Sequence, residues 1–258
     1  LDGTLRLTTA DNGGDGDIGV ILGGNSAVLD GTAGGDTLSV TADGMGSAQT
    51  LSLTGGSDAV VTGLVGNLDA DAAGESTLAG TLNLTTGALA DGAAIDIILG
   101  TSDSVLAIDE VDGAGAGSGS EAVVDAAALV NDKLTLTGDG EVEVDAIARD
   151  VDATGLSGDL DIDTGVDVTL RVDAGSGQTR VTSTADSNVT VDAERIVADG
   201  SDTSYELILD GEGTGSSGSV VENLSADLDA SDLDGELFVT SSGDASVNVL
   251  AGADNTLV

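Results

Sequence analysis

The sequence predicts an all-β chain wound as a repetitive parallel β-solenoid of the β-helix or β-roll kind. Three observations carry that reading. First, a heptapeptide returns: GTLRLTT (3–9), GTLNLTT (80–86), GDLDIDT (158–164) and GELFVTS (235–241). Its anchoring glycines Gly3, Gly80, Gly158 and Gly235 are 77, 78 and 77 residues apart, and a fixed period marks an array of stacked units. Second, the intervals are filled with short stretches in which apolar and polar residues alternate. Period two, rich in Thr and Val, is the pattern of half-buried strands. Third, apolar residues make up 40% of the chain but aromatics only 1%. Val, Leu, Ile and Ala must do the packing, which suits thin, closely stacked strands.

The elements follow in chain order. Strands are expected at 4–8, 37–41, 50–54, 81–85, 133–137, 141–145, 159–163, 168–172, 188–192 and 246–250, each an alternating run such as TLNLT or EVEVD. After each anchor comes a second apolar string: DIGVILGGNSAVL (17–29), AIDIILGTSDSVL (94–106), DVTLRVDAGSGQTRV (167–181) and ASVNVLAGADNTLV (245–258). Before the last three anchors stand LDADAAGESTLAG (68–80), VDATGLSG (151–158) and LDASDLDG (228–235). The segments 121–130 and 222–233 have helix-compatible composition, but their counterparts elsewhere in the array are strand-like. Glycine is frequent at 40 residues and proline absent, so glycine marks repeated tight turns. GAGAGSGS (113–120) and GEGTGSSGS (211–219) read as glycine-rich loops.

The period divides the chain into units 1–79, 80–157 and 158–234, with the start of a fourth at 235–258. Two strands of this spacing make a coil of roughly 18–20 residues, so about four coils are expected per unit. The alternative is a string of small β-sandwiches. A 77-residue unit is short against the roughly 100 residues of an immunoglobulin-type sandwich, and no linkers separate the units. The chain begins at Leu1 and stops partway through a repeat, which reads as a piece of a longer or processed protein.

The formal net charge is −41, from 47 acidic and six basic residues. A polyanionic nucleic acid would be repelled, and an anionic membrane surface is disfavoured for the same reason. No apolar run approaches the roughly 20 residues that span a bilayer. Such charge strains the compact state. High ionic strength, which shortens the screening length, or a divalent cation with oxygen ligands such as Ca²⁺ would relieve it. Both conditions point outside the cell.

Catalysis is not expected. The chain has no His and no Cys, and one Lys, Lys133, which removes Ser-His-Asp triads, thiol chemistry and His-based zinc sites. A paired-carboxylate glycosidase would want aromatic platforms, and only Tyr205 and Phe238 are present. The acidic residues offer two readings. Asp159, Asp161 and Asp163 alternate along one strand, as do Asp15 and Asp17, and Asp227, Asp229 and Asp232 lie close together. Hard oxygens so spaced could hold Ca²⁺, or simply solvate a strand face. Asp69, Asp152 and Asp229 recur before the anchors. They could form periodic ion sites or lateral bridges, or cap turn amides. No EF-hand loop is present: DNGGDG (11–16) lacks its closing Glu, with Leu22 in that place. Asn83, Asn188 and Asn223 begin N-x-Ser/Thr sequons.

The cadence of LDASDLDGELFVTSSGDASVNVLAGADNTLV (228–258), echoed at 151–181 and 68–106, resembles repeats of secreted bacterial surface proteins, namely S-layer proteins and large RTX-type adhesins. GTAGGDTLS (31–39) is similar to the RTX nonapeptide, with Thr32 at its second Gly. The resemblance implies Asp36 as a calcium ligand, with Gly31 and Gly34 as turn glycines. It also implies an extracellular, cell-surface structural role: an S-layer, sheath, filament or adhesin stalk that self-assembles. The competing expectation is an adhesin module that binds a surface glycan or a partner protein.

Overall fold

The computed structural model describes residues 4–9, 17–31, 36–71, 77–89, 93–109, 121–130, 133–184, 186–197, 206–212, 218–243, 246–252 and 256–257. Consecutive strands alternate between two parallel sheets, with one exception near the C-terminal end, and each strand pairs with a strand of the preceding coil. This is the expected β-solenoid, and no helix occurs among the described residues.

Sheet A contains β1 (Leu5–Thr9), β3 (Ala27–Gly31), β5 (Thr50–Gly55), β7 (Asn67–Asp69), β9 (Ala94–Ile98), β11 (Glu121–Asp125), β13 (Glu141–Ile147), β15 (Leu160–Thr164), β17 (Thr179–Ser183), β19 (Leu207–Glu212), β21 (Leu228–Ala230) and β24 (Val249–Ala251). The short β22 (Leu233–Asp234) also pairs with β19, continuing the coil of β21. Sheet B contains β2 (Ile18–Ile21), β4 (Thr37–Thr41), β6 (Asp58–Leu64), β8 (Leu82–Thr86), β10 (Ser104–Ile108), β12 (Leu134–Gly138), β14 (Val151–Leu156), β16 (Thr169–Asp173), β18 (Asn188–Asp192), β20 (Gly218–Leu224), β23 (Glu236–Ser241) and β25 (Thr256–Leu257). Segments 121–130 and 222–233 thus contribute strands β11, β20, β21 and β22, as their counterparts predicted.

The alternation in sequence becomes alternation in burial. In β8, Leu82 and Leu84 point inward while Asn83 and Thr85 face solvent. Inward side chains from both sheets form one aliphatic cluster running from Leu22 to Val239. Coils vary in length. The register offset is 17 residues where Leu51 meets Leu68 and 30 where Ser104 meets Leu134. Long insertions therefore fall in corners, and within the strand ladder only single-residue register shifts occur.

The heptapeptide now has a physical reading. Its Gly lets one coil sit close on the next: a Cβ at Gly158 would fall inside the Gly140 carbonyl, and one at Gly80 inside that of Ser57. Its two apolar residues face the core. Its closing Thr is buried at Thr86 and Thr164, where the hydroxyl oxygens accept from the Asp109 and Thr184 amides of the following coil, at 2.9 and 3.0 Å.

One expectation is corrected. A unit is three and a half coils, not four. The heptapeptides supply strands β1, β8, β15 and β23, seven strands apart once β21 and β22 are taken as one coil's contribution. Seven strands in about 77 residues gives about 22 residues per two-strand coil, longer than the 18–20 expected. Successive anchors therefore alternate between sheets A and B. Each of β8, β15 and β23 stacks on a bulged strand, β6, β13 or β20. The extra residue there has positive φ: Gly63 (72°), Ala146 (56°) and Asn223 (56°). A bulge takes one residue out of the pairing, so the next apolar residue (Leu64, Ile147 or Leu224) returns to the core.

Two variants test this reading by thermal or denaturant unfolding. Gly158→Ala is expected to cost about 1–3 kcal/mol through overpacking against backbone. Ala146→Gly is expected to stabilise or be neutral, by up to about 1 kcal/mol, because Gly adopts positive φ freely. Loss of stability in the second variant would argue against the bulge geometry.

Candidate functional site

The outward positions of the two sheets are chemically different. On sheet A, strands β9 to β15 and the residues beside them carry Asp96, Glu121, Asp125, Glu141, Glu143, Asp145, Asp159, Asp161 and Asp163. The register sets Glu121 against Glu141, Asp125 against Asp145 and Glu143 against Asp161. Adjacent strands are about 4.8 Å apart, and like charges directly opposite destabilise a sheet. A hydrogen bond with Glu121, partial burial and the charges of Glu121 and Asp163 push the Glu143 carboxyl above its ordinary range. Asp145 is raised by partial burial and by Glu143, Asp163 and Asp125. Asp161 is raised by burial, with Arg180 acting against the rise.

Several basic side chains tie coils together. Arg171 donates to Asp173 on its own strand (2.6 Å), Asp192 on β18 (2.7 Å) and Glu222 on β20 (2.8 Å), so one guanidinium spans three coils. Those carboxylates hold its pKa above the ordinary arginine value. Arg180 pairs with Asp210 on β19. Lys133 pairs with Asp152 at 2.7 Å. The Lys133 and Thr154 hydrogen bonds lower the Asp152 carboxyl. The Arg149 guanidinium donates to the Val130 carbonyl. A depression of about 300 Å³, lined in part by Arg171, Asp173, Asp192 and Arg195, lies over the Arg171 network. Of its polar walls, Arg171, Asp173 and Asp192 are bonded to one another.

Sheet B over β2 to β12 has two uncharged columns on its outer face. Its two outward columns read Gly19, Ser39, Val60, Asn83, Val105, Thr135 and Ile21, Thr41, Thr62, Thr85, Ala107, Thr137. In a chain of net charge −41, a six-strand face with no charge in two columns is a distinct surface.

The singled-out aspartates take their places in this frame. Asp69, Asp152 and Asp229 each accept from the amide two residues on, at 3.1, 3.3 and 2.9 Å. Asp125 and Asp192 do the same for Ala127 and Glu194. They are turn caps. They also sit alternately on sheets A, B and A, so they form no common row. Asp159, Asp161 and Asp163 lie in or just before β15, about 6.6 Å apart from one to the next by strand rise, and Asp159 caps the Gln178 amide at 2.9 Å. Asp36 stands just before β4, and its motif partners Thr32 and Gly34 lie outside the described residues, as does Asp15. Gly31 is held by packing, since a Cβ there would meet the Ser57 side chain at 2.7 Å. Among the described residues no group of three or more acidic side chains is disposed to hold a metal ion.

A recurring corner went unrecognised in the sequence. Val- or Leu-Asp-Ala stands at 68–70, 124–126, 144–146, 151–153, 172–174, 191–193 and 228–230, and every one of these alanines except Ala146 is buried. The Asp caps the turn in five of them, and small Ala lets the chain turn against the core. No family model, no curated protein and no solved structure matches this chain.

The acid ladder sets a pH dependence. Glu143, Asp145 and Asp161 hold protons more tightly folded than unfolded. Their stabilising contribution is full below the unfolded carboxylate range and is lost as pH rises through their raised values. Asp152 acts oppositely, but in the acid region below the ordinary carboxylate range. The Tm is expected to rise as pH falls from 7 to about 5. Glu143→Gln should raise Tm at pH 7 by about 1–3 °C and flatten that rise. A Tm unmoved by either change would contradict the ladder's energetic role.

Proposed function

We propose that this chain is a structural segment of an extracellular or cell-surface array (an S-layer, sheath, filament or adhesin stalk) that works mechanically and associates with copies of itself. The observation that carries the reading is the uninterrupted pair of parallel ladders. Each sheet stacks twelve strands in its main order, a rod about 50 Å long at the usual strand spacing. Hydrogen bonding crosses every unit boundary, so load on one unit passes to the next through backbone. The acidic face keeps such a rod soluble and separate until ions screen it. Diffuse screening by salt or divalent ions suits the observed carboxylates better than coordination at one centre.

Circular dichroism and negative-stain imaging across a NaCl series and a Ca²⁺ series, each against EGTA, test this. β-Rich rods that are folded in EGTA and associate as ionic strength rises, with Ca²⁺ effective at lower concentration than Na⁺, are expected. Rods that stay single under every ionic condition would contradict self-assembly. Folding that requires stoichiometric Ca²⁺ would replace diffuse screening with specific sites.

A further inference from the structure

We infer that the neutral outer face of sheet B, β2 to β12, packs against the same face of a second copy about a two-fold axis parallel to the strands. This rests on the reading of the chain as a self-associating array and names the surface that does it. Two copies of a −41 chain repel through any face that opposes carboxylates. The two neutral columns meet without charge.

The deciding feature is the bordering column. One residue before the paired stretch, it reads Asp17, Thr37, Asp58, Thr81, Asp103, Lys133 from β2 to β12. A two-fold axis along the strands reverses this order on the facing copy. Asp17 then opposes Lys133, Thr37 opposes Asp103 and Asp58 opposes Thr81. In this column no acid meets an acid; on the opposite border the same operation sets only the corner acids Asp43 and Asp109 against each other. Asp58 and Asp103 are moreover already bonded to the Thr81 and Lys133 amides of their own chain, at 2.8 and 2.9 Å. The inner columns mesh in the same operation: the exposed Val105 meets Ser39 and Val60 meets Asn83, large against small or polar. An isologous contact requires this self-complementarity.

Six strands of five residues offer about 400–500 Å² per copy by strand spacing and rise. That is about half of the roughly 800 Å² per partner in a standard interface. Association of this chain is therefore weak and reversible. The corner acids Asp43, Asp109 and Asp139 stand at the rim, which makes it salt-dependent.

Sedimentation velocity of the whole chain in about 1 M NaCl, where screening reaches about 3 Å, is the test. Val105→Asp is expected to weaken association about tenfold or more, by burying an unpaired charge. Adding Ser39→Arg should restore it to within about threefold, since position 39 of one copy faces 105 of the other. These positions are three strand spacings apart within one chain, about 14 Å, so the rescue acts between copies. Ser52→Asp, on the outer face of sheet A, adds the same charge and should leave association unchanged; circular dichroism confirms the fold of each. If Val105→Asp associates like the parent, or Ser39→Arg fails to rescue, the inference is overturned while the array reading stands. A parent chain monomeric at every salt concentration overturns both, as does a monomer whose neutral face instead adsorbs polysaccharide or ice.

Discussion

Every feature of this molecule answers to the backbone ladder between successive coils. In a parallel ladder each strand donates and accepts along its whole length, so a coil can be longer or shorter only where it turns. Offsets between paired residues range from 17 to 30, yet Leu or Val keeps meeting Leu, Val or Ala across the sheet. A one-residue slip would turn the inward aliphatics to solvent. The buried threonines, the turn-capping aspartates and the close-packed glycines all serve this constraint: they fix where one coil ends and how near the next can lie.

The half-coil repeat follows from having two equivalent sheets. Half a coil later, the chain meets the same environment rotated to the opposite sheet. A unit of seven strands is therefore as stackable as one of eight, and successive copies of the heptapeptide occupy opposite faces. The bulges on β6, β13 and β20 mark the same phase in three units, in three chemical versions: Gly63, Ala146 and Asn223. The position is retained in space while its residue varies.

The sequence spoke clearly about inward positions and poorly about corners. TLNLT and EVEVD declare their strands because burial enforces period two. The solenoid itself was legible from the glycine period and the missing aromatics. The half-coil was not, because nothing in a period of 77 says which sheet a strand joins; that depends on corner lengths, which vary. The bulges were hidden for a related reason, since Ala146 carries no mark of positive φ. Asp69, Asp152 and Asp229 stood out by recurrence, but the amides they cap, those of Asp71, Thr154 and Ser231, became visible only in the structure. The acid ladder could not be seen before the register placed Glu121 beside Glu141 and Glu143 beside Asp161. The neutral face emerged in the same way, from residues scattered between 17 and 137.

Over β9 to β12 the two faces give the rod a polarity across its thickness, with like-charge strain on sheet A and two uncharged columns on sheet B. That polarity exists only if the ladder is continuous and in register, and spin labels can measure this directly. The chain has no native cysteine, so cysteine pairs can be placed cleanly at Ser39 and Thr135, and at Ser39 and Val220. In sheet B these are four and eight strand spacings apart. Dipolar spectroscopy should return two narrow distributions centred near 19 and 38 Å, at about 4.8 Å per spacing. A second distance that fails to double the first, or a broad distribution for either pair, would contradict a single continuous solenoid and favour separate β domains.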